Sequence, residues 1–292
     1  MKLGLNGMTF SETDDLESIL KIANGFGINH LELWAHNCED VGETIHQYAY
    51  KGKDIKKAKN QINSYGINVC CIAFGCGFDP VFSKEQKLFS RELVRAVEVA
   101  AEMGAGIVNH YCGHVLPSEN IDIAYLAEYW DPAIKRAEQL GIILALENEA
   151  HDVTQTPENM LKLITEFNSN CFKTNFDPTN YYQSANEPFP YSYELLKDHI
   201  AYMHIKNGCR YNPLYCKDSD WIGEAMSRDY SGIGFYYTEA KSGAVNMEGV
   251  LNRLHKDGYK GFCTIEPHTS RQNALNCIKN DLIYLSKSNY FE

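Results

Sequence analysis

Four residues that can bind a metal or move a proton each stand at or near the end of an apolar, strand-like segment: Glu147, Asp177, His204 and Glu266. Glu147 directly follows the run 142–146, which is unbroken by any polar residue and too short to favour a helix. A carboxylate buried unpaired beside apolar side chains is costly. Each of these carboxylates is therefore expected to meet a metal ion, a cationic side chain or solvent.

Three carboxylates and one imidazole that met in one place would repel or desolvate one another unless a cation neutralised them, and a divalent metal ion does so. A set rich in oxygen with a single imidazole suits Mn²⁺, Mg²⁺ or Co²⁺, and Zn²⁺ is also compatible. The residue types therefore predict one divalent metal ion bound by Glu147, Asp177, His204 and Glu266.

Each of these residues also has a purely structural interpretation. Asp177 precedes Pro178, and the pair could form a turn. His204 could be a core histidine with satisfied nitrogens, and Glu266 a solvated strand terminus. Their occurrence at the ends of four successive predicted strands favours the functional interpretation.

The elements that must position these residues alternate along the chain. Strand signals lie at 2–8, 28–34, 67–74, 106–111, 142–146, 172–177, 201–206 and 261–265, and helix signals at 16–26, 52–65, 84–103, 121–140, 157–167, 193–198, 247–257 and 271–286. This α/β pattern predicts a single (β/α)8 TIM barrel occupying residues 1–292, with its active site at the carboxyl ends of the strands. The competing doubly wound sheet would normally carry a glycine-rich loop after the first strand, and residues 6–9 are not one.

The segment 209–245, rich in Tyr, Gly and Asp, is longer than structureless connections usually are. It is predicted to be irregular and to serve as a lid or binding loop over the mouth.

Composition limits the partners. The chain of 292 residues is 44% hydrophobic and carries a net charge of −11, which disfavours nucleic acid, and it has no apolar run of about 18 residues that could span a membrane. The ten cysteines are scattered without a CxxC pair, as expected for reduced thiols that act as small hydrophobes. No signal peptide is evident at the first ten residues, so a cytoplasmic location is expected.

Several motifs together resemble the xylose-isomerase-like TIM barrels of the sugar phosphate isomerase/epimerase superfamily: ELW at 32–34, LENE at 146–149, NFDPTN at 175–180, HIKNGCR at 204–210 and TIEPH at 264–268. The resemblance covers essentially the whole chain. It implies that Glu147, Asp177, His204 and Glu266 bind one divalent metal ion. It further implies that the two glutamates exchange the substrate proton and that Arg210, six residues after the histidine, contacts the sugar.

Two positions depart from the ketose 3-epimerases of that superfamily. Asn180 stands where they usually carry a histidine, and Val153 where they carry a substrate-contacting glutamate. Both departures count against that subfamily. The residues that we predict to contact the substrate are Arg210, His110, Asn180, Lys206, His151 and Trp34, although core packing is the stronger expectation for Trp34.

The resemblance and the residue types predict a metal-dependent sugar isomerase or epimerase. Glu147 and Glu266 would act as acid and base in proton abstraction α to a carbonyl, through a metal-stabilised enediolate. The expected partner is a small sugar or polyol, and related barrels suggest a dimer or tetramer. The alternatives are a metal-dependent dehydratase of a cyclic polyol or keto acid, a DNA-repair endonuclease and a non-catalytic sugar-binding protein.

Overall fold

The computed structural model describes residues 1–10, 14–76, 86–112, 122–211, 227–228, 231–269 and 271–292. The strands, in chain order, are β1 Lys2–Asn6, β2 His30–Trp34, β3 Asn68–Phe74, β4 Ile107–His110, β5 Ile143–Glu147, β6 Phe172–Phe176, β7 Ile200–Ile205, β8 Asn207–Arg210, β9 Ser227–Arg228, β10 Gly234–Thr238 and β11 Phe262–Ile265. The α-helices are α1 Leu16–Gly25, α2 Ile55–Ser64, α3 Gln86–Met103, α4 Ile123–Leu140, α5 Pro157–Phe167, α6 Pro178–Gln183, α7 Tyr193–Leu196, α8 Met247–Lys256 and α9 Arg271–Leu285. Shorter helical turns lie at Gly7–Phe10, Ala35–Asn37, Val153–Gln155, Pro188–Ser192 and Lys197–His199.

Eight parallel strands close into a barrel in the order β1, β11, β7, β6, β5, β4, β3, β2. Helices lie between successive strands, so the prediction of a (β/α)8 barrel is confirmed. Because all the strands are parallel, their carboxyl ends surround one mouth. Across the sheet, Glu147 pairs with Asn175 and His204 with Thr264.

The predicted helix boundaries follow from local capping chemistry. The side chain of Asp15 accepts a hydrogen bond of 2.8 Å from the Ser18 backbone N–H and so caps α1. The glycines between a helix and the next strand adopt the left-handed backbone conformation that glycine reaches without strain, with φ of 71° at Gly27 and 69° at Gly141.

Alternation along each strand separates two environments. On β5, Leu144 and Leu146 join the large apolar core that includes the helices, whereas Ala145 lies with Tyr202 in a smaller cluster inside the barrel. Glu147, two residues after Ala145, points the same way and is only 5% exposed. Strand parity thus selects which side chains reach the mouth.

The prediction that residues 209–245 are irregular is wrong where the structure describes them. Strands β8, β10 and β9 form an antiparallel sheet, in that order, directly after β7. The run Phe235–Tyr236–Tyr237 is rich in the aromatic residues that favour strands. Residues 212–226 and 229–230 of this segment, including Cys216, lie outside the described residues.

The nine cysteines in the described ranges are free thiols, and eight of them are buried. This agrees with the prediction that they pack as small hydrophobes. Within the described part of the chain, no helix has the length and apolar character needed to cross a membrane.

Candidate metal centre

The mouth of the barrel brings together the four residues that the sequence singled out. One ligand atom from each of Glu147, Asp177, His204 and Glu266 lies within 4.8 Å of the other three. All four side chains are buried, none more than 5% exposed. The predicted convergence is therefore present in the structure.

His204 stands at the centre of the cluster. Its Nδ1 atom lies 3.0 Å from Glu147 Oε1 and 3.2 Å from Glu266 Oε2. Asp177 Oδ2 is more distant, at 3.9 Å from the same nitrogen. One imidazole nitrogen thus faces an oxygen from each of the three carboxylates.

The other nitrogen of His204 contacts Glu32, a residue to which the sequence analysis assigned no role. His204 Nε2 lies 3.0 Å from Glu32 Oε2, and Glu32 is fully buried on β2. An ionised carboxylate only accepts hydrogen bonds, so Nε2 carries a hydrogen in this contact, and Nδ1 does so toward Glu147 when no metal ion is bound. When a metal ion replaces the hydrogen on Nδ1, the lone pair of that nitrogen points at the three-carboxylate cluster.

The charges of the cluster perturb one another strongly. Burial disfavours a charged imidazole, but the surrounding carboxylates, Glu147 foremost, hold the pKa of His204 well above its usual value. Burial would likewise raise the pKa of Glu266, but His204 and Lys206 hold it well below its usual range. At Asp177 burial outweighs the neighbouring Lys206 and raises the pKa. The site therefore contains excess negative charge that a cation would relieve.

Lys206, one of the predicted substrate contacts, lies inside the cluster. Its Nζ atom is 2.8 Å from Asp177 Oδ2 and 2.9 Å from Glu266 Oε2, and its side chain is 3% exposed. As predicted from its position two residues after His204, it shares the inner face of the strand. The cation partly neutralises two of the four candidate ligands.

The oxygens of Glu147 and Glu266 that face away from His204 are held by amide side chains. Asn109 Nδ2 donates to Glu147 Oε2 at 2.9 Å, and Asn6 Nδ2 donates to Glu266 Oε1 at 2.7 Å. Asn6 in turn accepts a hydrogen bond of 2.7 Å from the indole of Trp34. Trp34 is thus linked to Glu266, while its ring packs edge-on against Tyr48.

Asp177 is held by a second set of contacts that includes Asn180. Asp177 Oδ1 accepts from the backbone N–H groups of Thr179 at 2.8 Å and Asn180 at 3.0 Å, so Asp177 caps α6. The Asn180 side chain donates to the carbonyl of Asn148, whose own amide bonds the Asp177 backbone. Asn180 braces the neighbouring strand end, and its predicted contact with substrate stays a prediction.

His110 does not lie at the mouth, so its predicted role as a wall of the substrate site is wrong. Its ring accepts a hydrogen bond of 2.9 Å from the Trp130 indole and packs against Phe172 in the layer between strands and helices. The adjacent Asn109 is the residue of β4 that points inward. Burial lowers the pKa of His110 to about 3, so the ring is neutral.

His151 and Arg210 lie further out. His151 is 64% exposed, with Nδ1 at 3.9 Å from Glu149 Oε2. Arg210 is half-buried on β8, and its guanidinium lies over the Tyr182 ring at 5.8 Å from the centroid. Neither residue belongs to the four-residue cluster, and their contacts with substrate stay predictions.

Glu149 adds another carboxyl group to the region of the mouth. Its side chain is 21% exposed, and burial together with the charge of Glu147 raises its pKa well above the usual value. Its backbone N–H donates to Thr154 Oγ1 at 2.9 Å, which holds this turn in place.

The antiparallel sheet supplies an aromatic contact to the cluster. The ring of Tyr237 on β10 lies 5.6 Å from Lys206 Nζ and 4.9 Å from the His268 ring. Its hydroxyl donates to Gln183 on α6 at 3.2 Å. Tyr237 thus brings β10 into contact with the cluster at Lys206, and the role of this segment as a lid stays a prediction.

The donor set fits a divalent metal ion. Metal–ligand bonds are about 2.0–2.6 Å long, so two ligand atoms on opposite sides of one ion lie about 4–5 Å apart. The four candidate ligand atoms lie within 4.8 Å of one another. Asp177 Oδ2 is buried and points into the cluster, 2.8 Å from Lys206 Nζ and 3.9 Å from His204 Nδ1. Glu147, Asp177, His204 and Glu266 could therefore hold the ion.

The comparison with protein-family models agrees with this geometry. Residues 20–287 match the model described as xylose isomerase-like TIM barrel. The chain belongs to this family. No functionally curated protein matches the sequence.

Solved structures with the same fold include proteins of different chemistry. The probable 3-DHS dehydratase AsbF of Bacillus anthracis is 18% identical with a TM-score of 0.69, and 99% of this chain and 100% of that chain are covered. The 3-keto-D-glucoside 4-epimerase YcjR of E. coli is 14% identical with a TM-score of 0.69, and the match covers 99% of this chain and 100% of that chain. The IOLI protein, solved with a bound zinc atom, is 16% identical with a TM-score of 0.71, and both chains are fully covered. At these identities the likeness establishes the fold.

Proposed function

We propose that this protein is a divalent-metal-dependent sugar isomerase or epimerase that moves a proton α to a carbonyl group. The observation that supports this most directly is the placement of Glu147 Oε1 and Glu266 Oε2, which lie 3.0 Å and 3.2 Å from the same imidazole nitrogen. Two carboxylates beside one substrate carbon can remove a proton from one face of that carbon and return a proton to the other face. A bound divalent ion would polarise the carbonyl group and stabilise the negative charge of the enediolate.

The side chains around the cluster would fix the orientation of the Glu147 and Glu266 carboxylates. Asn109 and Asn6 each donate a hydrogen bond to the glutamate oxygen that faces away from His204. This fixes the carboxylate planes and directs the other oxygen of each glutamate into the cluster. Lys206 contributes a buried positive charge next to Glu266, where a substrate oxygen would gain negative charge during proton removal.

An uncharged polyhydroxylated substrate suits the described mouth. The carboxylates of Glu147, Glu149, Asp177 and Glu266 surround it, and Lys206 is already in contact with two of them. Hydroxyl groups can donate hydrogen bonds to such oxygens, which an ionised phosphate or carboxylate cannot do. A small sugar or polyol is therefore the proposed partner. A cytoplasmic location and assembly into dimers or tetramers are also part of the proposal.

The related structures include an epimerase and a probable dehydratase. On a keto substrate, epimerisation and dehydration can share one first step, which is removal of a proton beside the carbonyl. They differ in whether a β-hydroxyl group is then lost. The experiment is incubation of the Mn²⁺-treated protein with ketoses and keto-polyols in D₂O. Deuterium at the α-carbon with an isomeric product supports the proposal, whereas an enone absorbance with loss of water identifies a dehydratase.

The same assay needs variants that separate chemistry from folding. Glu147→Gln keeps the shape of the side chain and should abolish deuterium exchange with thermal unfolding nearly unchanged. Glu166→Gln alters an exposed glutamate on α5 and is the matched control. Equal exchange by Glu147→Gln and the wild type would refute the proposed role.

A further inference from the structure

Glu32 has four hydrogen-bond partners in the barrel interior. Its Oε2 atom lies 3.0 Å from His204 Nε2, 3.1 Å from the Tyr202 hydroxyl and 3.1 Å from Thr264 Oγ1. Its Oε1 atom accepts from Asn109 Nδ2 at 3.1 Å. The side chain is fully buried, so no solvent competes for these contacts.

We propose that Glu32 is a positioning residue that sets which nitrogen of His204 binds the metal ion. This inference rests on the proposed metal centre and goes beyond it, because Glu32 is not one of the four candidate ligands. Without a metal ion Nδ1 also faces carboxylates and carries a hydrogen. When a metal ion replaces that hydrogen, Glu32 accepts the remaining one on Nε2 and keeps the Nδ1 lone pair directed at the site between Glu147 and Glu266. A carboxylate in this place also strengthens the imidazole as a metal ligand.

Apart from the candidate ligands, the other contacts of the ring do not choose between its nitrogens. Asn175 Nδ2 lies 3.4 Å from Nδ1 and 3.2 Å from Nε2 of His204, nearly the same distance from both. The Tyr202 ring packs edge-on against the imidazole, with centroids 5.7 Å apart, and supports either tautomer. Glu147 and Glu266 face only Nδ1, but both are candidate ligands of the metal ion itself. Outside the ligand set, Glu32 is the described carboxylate that faces one nitrogen and not the other.

The partners of Glu32 come from three different strands, β4, β7 and β11. Asn109 bonds both Glu32 and Glu147, so one amide connects the buried carboxylate with a candidate ligand. This arrangement transmits the position of Glu32 to two members of the cluster, His204 and Glu147. A merely structural carboxylate would not need to contact either.

Two substitutions separate the hydrogen bond from the charge. Glu32→Gln keeps an oxygen that can accept from His204 but removes the negative charge, and Glu32→Leu removes both. Since loss of an outer partner of a metal-bound histidine weakens metal binding about 10–100-fold, we expect the Gln variant near the lower figure and the Leu variant near the higher one. Tyr202→Phe is the control, because it removes one donor to Glu32 and leaves the His204 contact intact. It should bind Mn²⁺ within about threefold of the wild type.

The second readout is the ¹⁵N spectrum of histidine-labelled protein loaded with Zn²⁺, with the His204 signals assigned by comparison with His204→Gln. In the wild type we expect Nε2 to carry the hydrogen and Nδ1 to bind the metal ion. Glu32→Leu should lose this single pattern. Zinc on Nε2 in the wild type would overturn the proposal, even if the Leu variant fails to fold.

The outcomes also separate this inference from the proposed function. If the wild type binds no divalent ion in calorimetric titration, the metal centre itself fails. If the wild type binds Mn²⁺ and Glu32→Gln and Glu32→Leu bind it equally well, only the role of Glu32 is refuted.

Discussion

Replacing Lys206 by methionine should change stability and metal affinity in opposite directions. The Lys206 ammonium lies 2.8 Å from Asp177 Oδ2 and 2.9 Å from Glu266 Oε2, with 3% of the side chain exposed. Methionine fills similar volume without charge, so two buried carboxylates lose their cation. Removing one partner of a buried ion pair costs about 3–5 kcal/mol, and we expect an unfolding free energy lower by about that much in chelator-treated protein.

The same substitution should tighten metal binding. In the wild type the ammonium competes with an incoming ion for the same two oxygens and repels it, so Lys206→Met is expected to bind Mn²⁺ about tenfold more tightly at pH 8. Saturating Mn²⁺ should then restore part of the lost stability. Urea unfolding with EDTA or with Mn²⁺ and calorimetric titration measure both effects.

Lys21→Met is the control for this comparison, because Lys21 forms an exposed ion pair with Glu17 on α1. It should leave the urea midpoint and the affinity for Mn²⁺ unchanged. Weaker Mn²⁺ binding by Lys206→Met, with stability equal to that of the wild type, would refute the competition.

Three further predictions follow from the buried groups. Burial raises the pKa of Asp281 to about 7, so the folded chain holds a proton that the unfolded chain loses above about pH 4. The free energy of unfolding should therefore fall by up to about 4 kcal/mol from pH 4 to pH 7 and then level off. Urea titrations of Asp281→Asn should lack this fall. Because the pKa of His204 is raised, binding of a metal ion must displace a proton from the ring. The affinity for Mn²⁺ should therefore increase with pH between 6 and 8. Calorimetric titration in two buffers should detect the release of about one proton per ion. Trp34→Phe keeps an aromatic ring but removes the donor to Asn6, which holds Glu266; it should reduce kcat/KM with a stability loss of only about 1 kcal/mol in thermal unfolding.

The barrel could be predicted from the sequence because its signals are local. Apolar runs of strand length alternate with amphipathic helices, and glycines such as Gly27 and Gly141 mark the boundaries. The candidate ligands follow from the same regularity, since a barrel brings all strand ends to one mouth. The strands after β7 were missed because a segment rich in Tyr and Gly was interpreted as a loop.

The errors at the site concern properties that are not local. His110 was misassigned because a shift of one residue reverses the face of a strand, and Asn109 is the inward residue. The role of Glu32 depends on a contact with His204, 172 residues away. The role of a buried glutamate in a strand can be inferred only when its hydrogen-bond partners are known. The spacing of residues along the sequence does not identify those partners.

The central claim is that Glu147, Asp177, His204 and Glu266 bind one divalent ion. The most direct test is a crystal structure of protein soaked in Mn²⁺, with anomalous scattering measured to locate the metal. We expect one strong anomalous peak at about 2.0–2.6 Å from an atom of each of the four side chains, with Nδ1 as the histidine ligand. No peak among these side chains at saturating Mn²⁺, or a peak elsewhere in the molecule only, would contradict it.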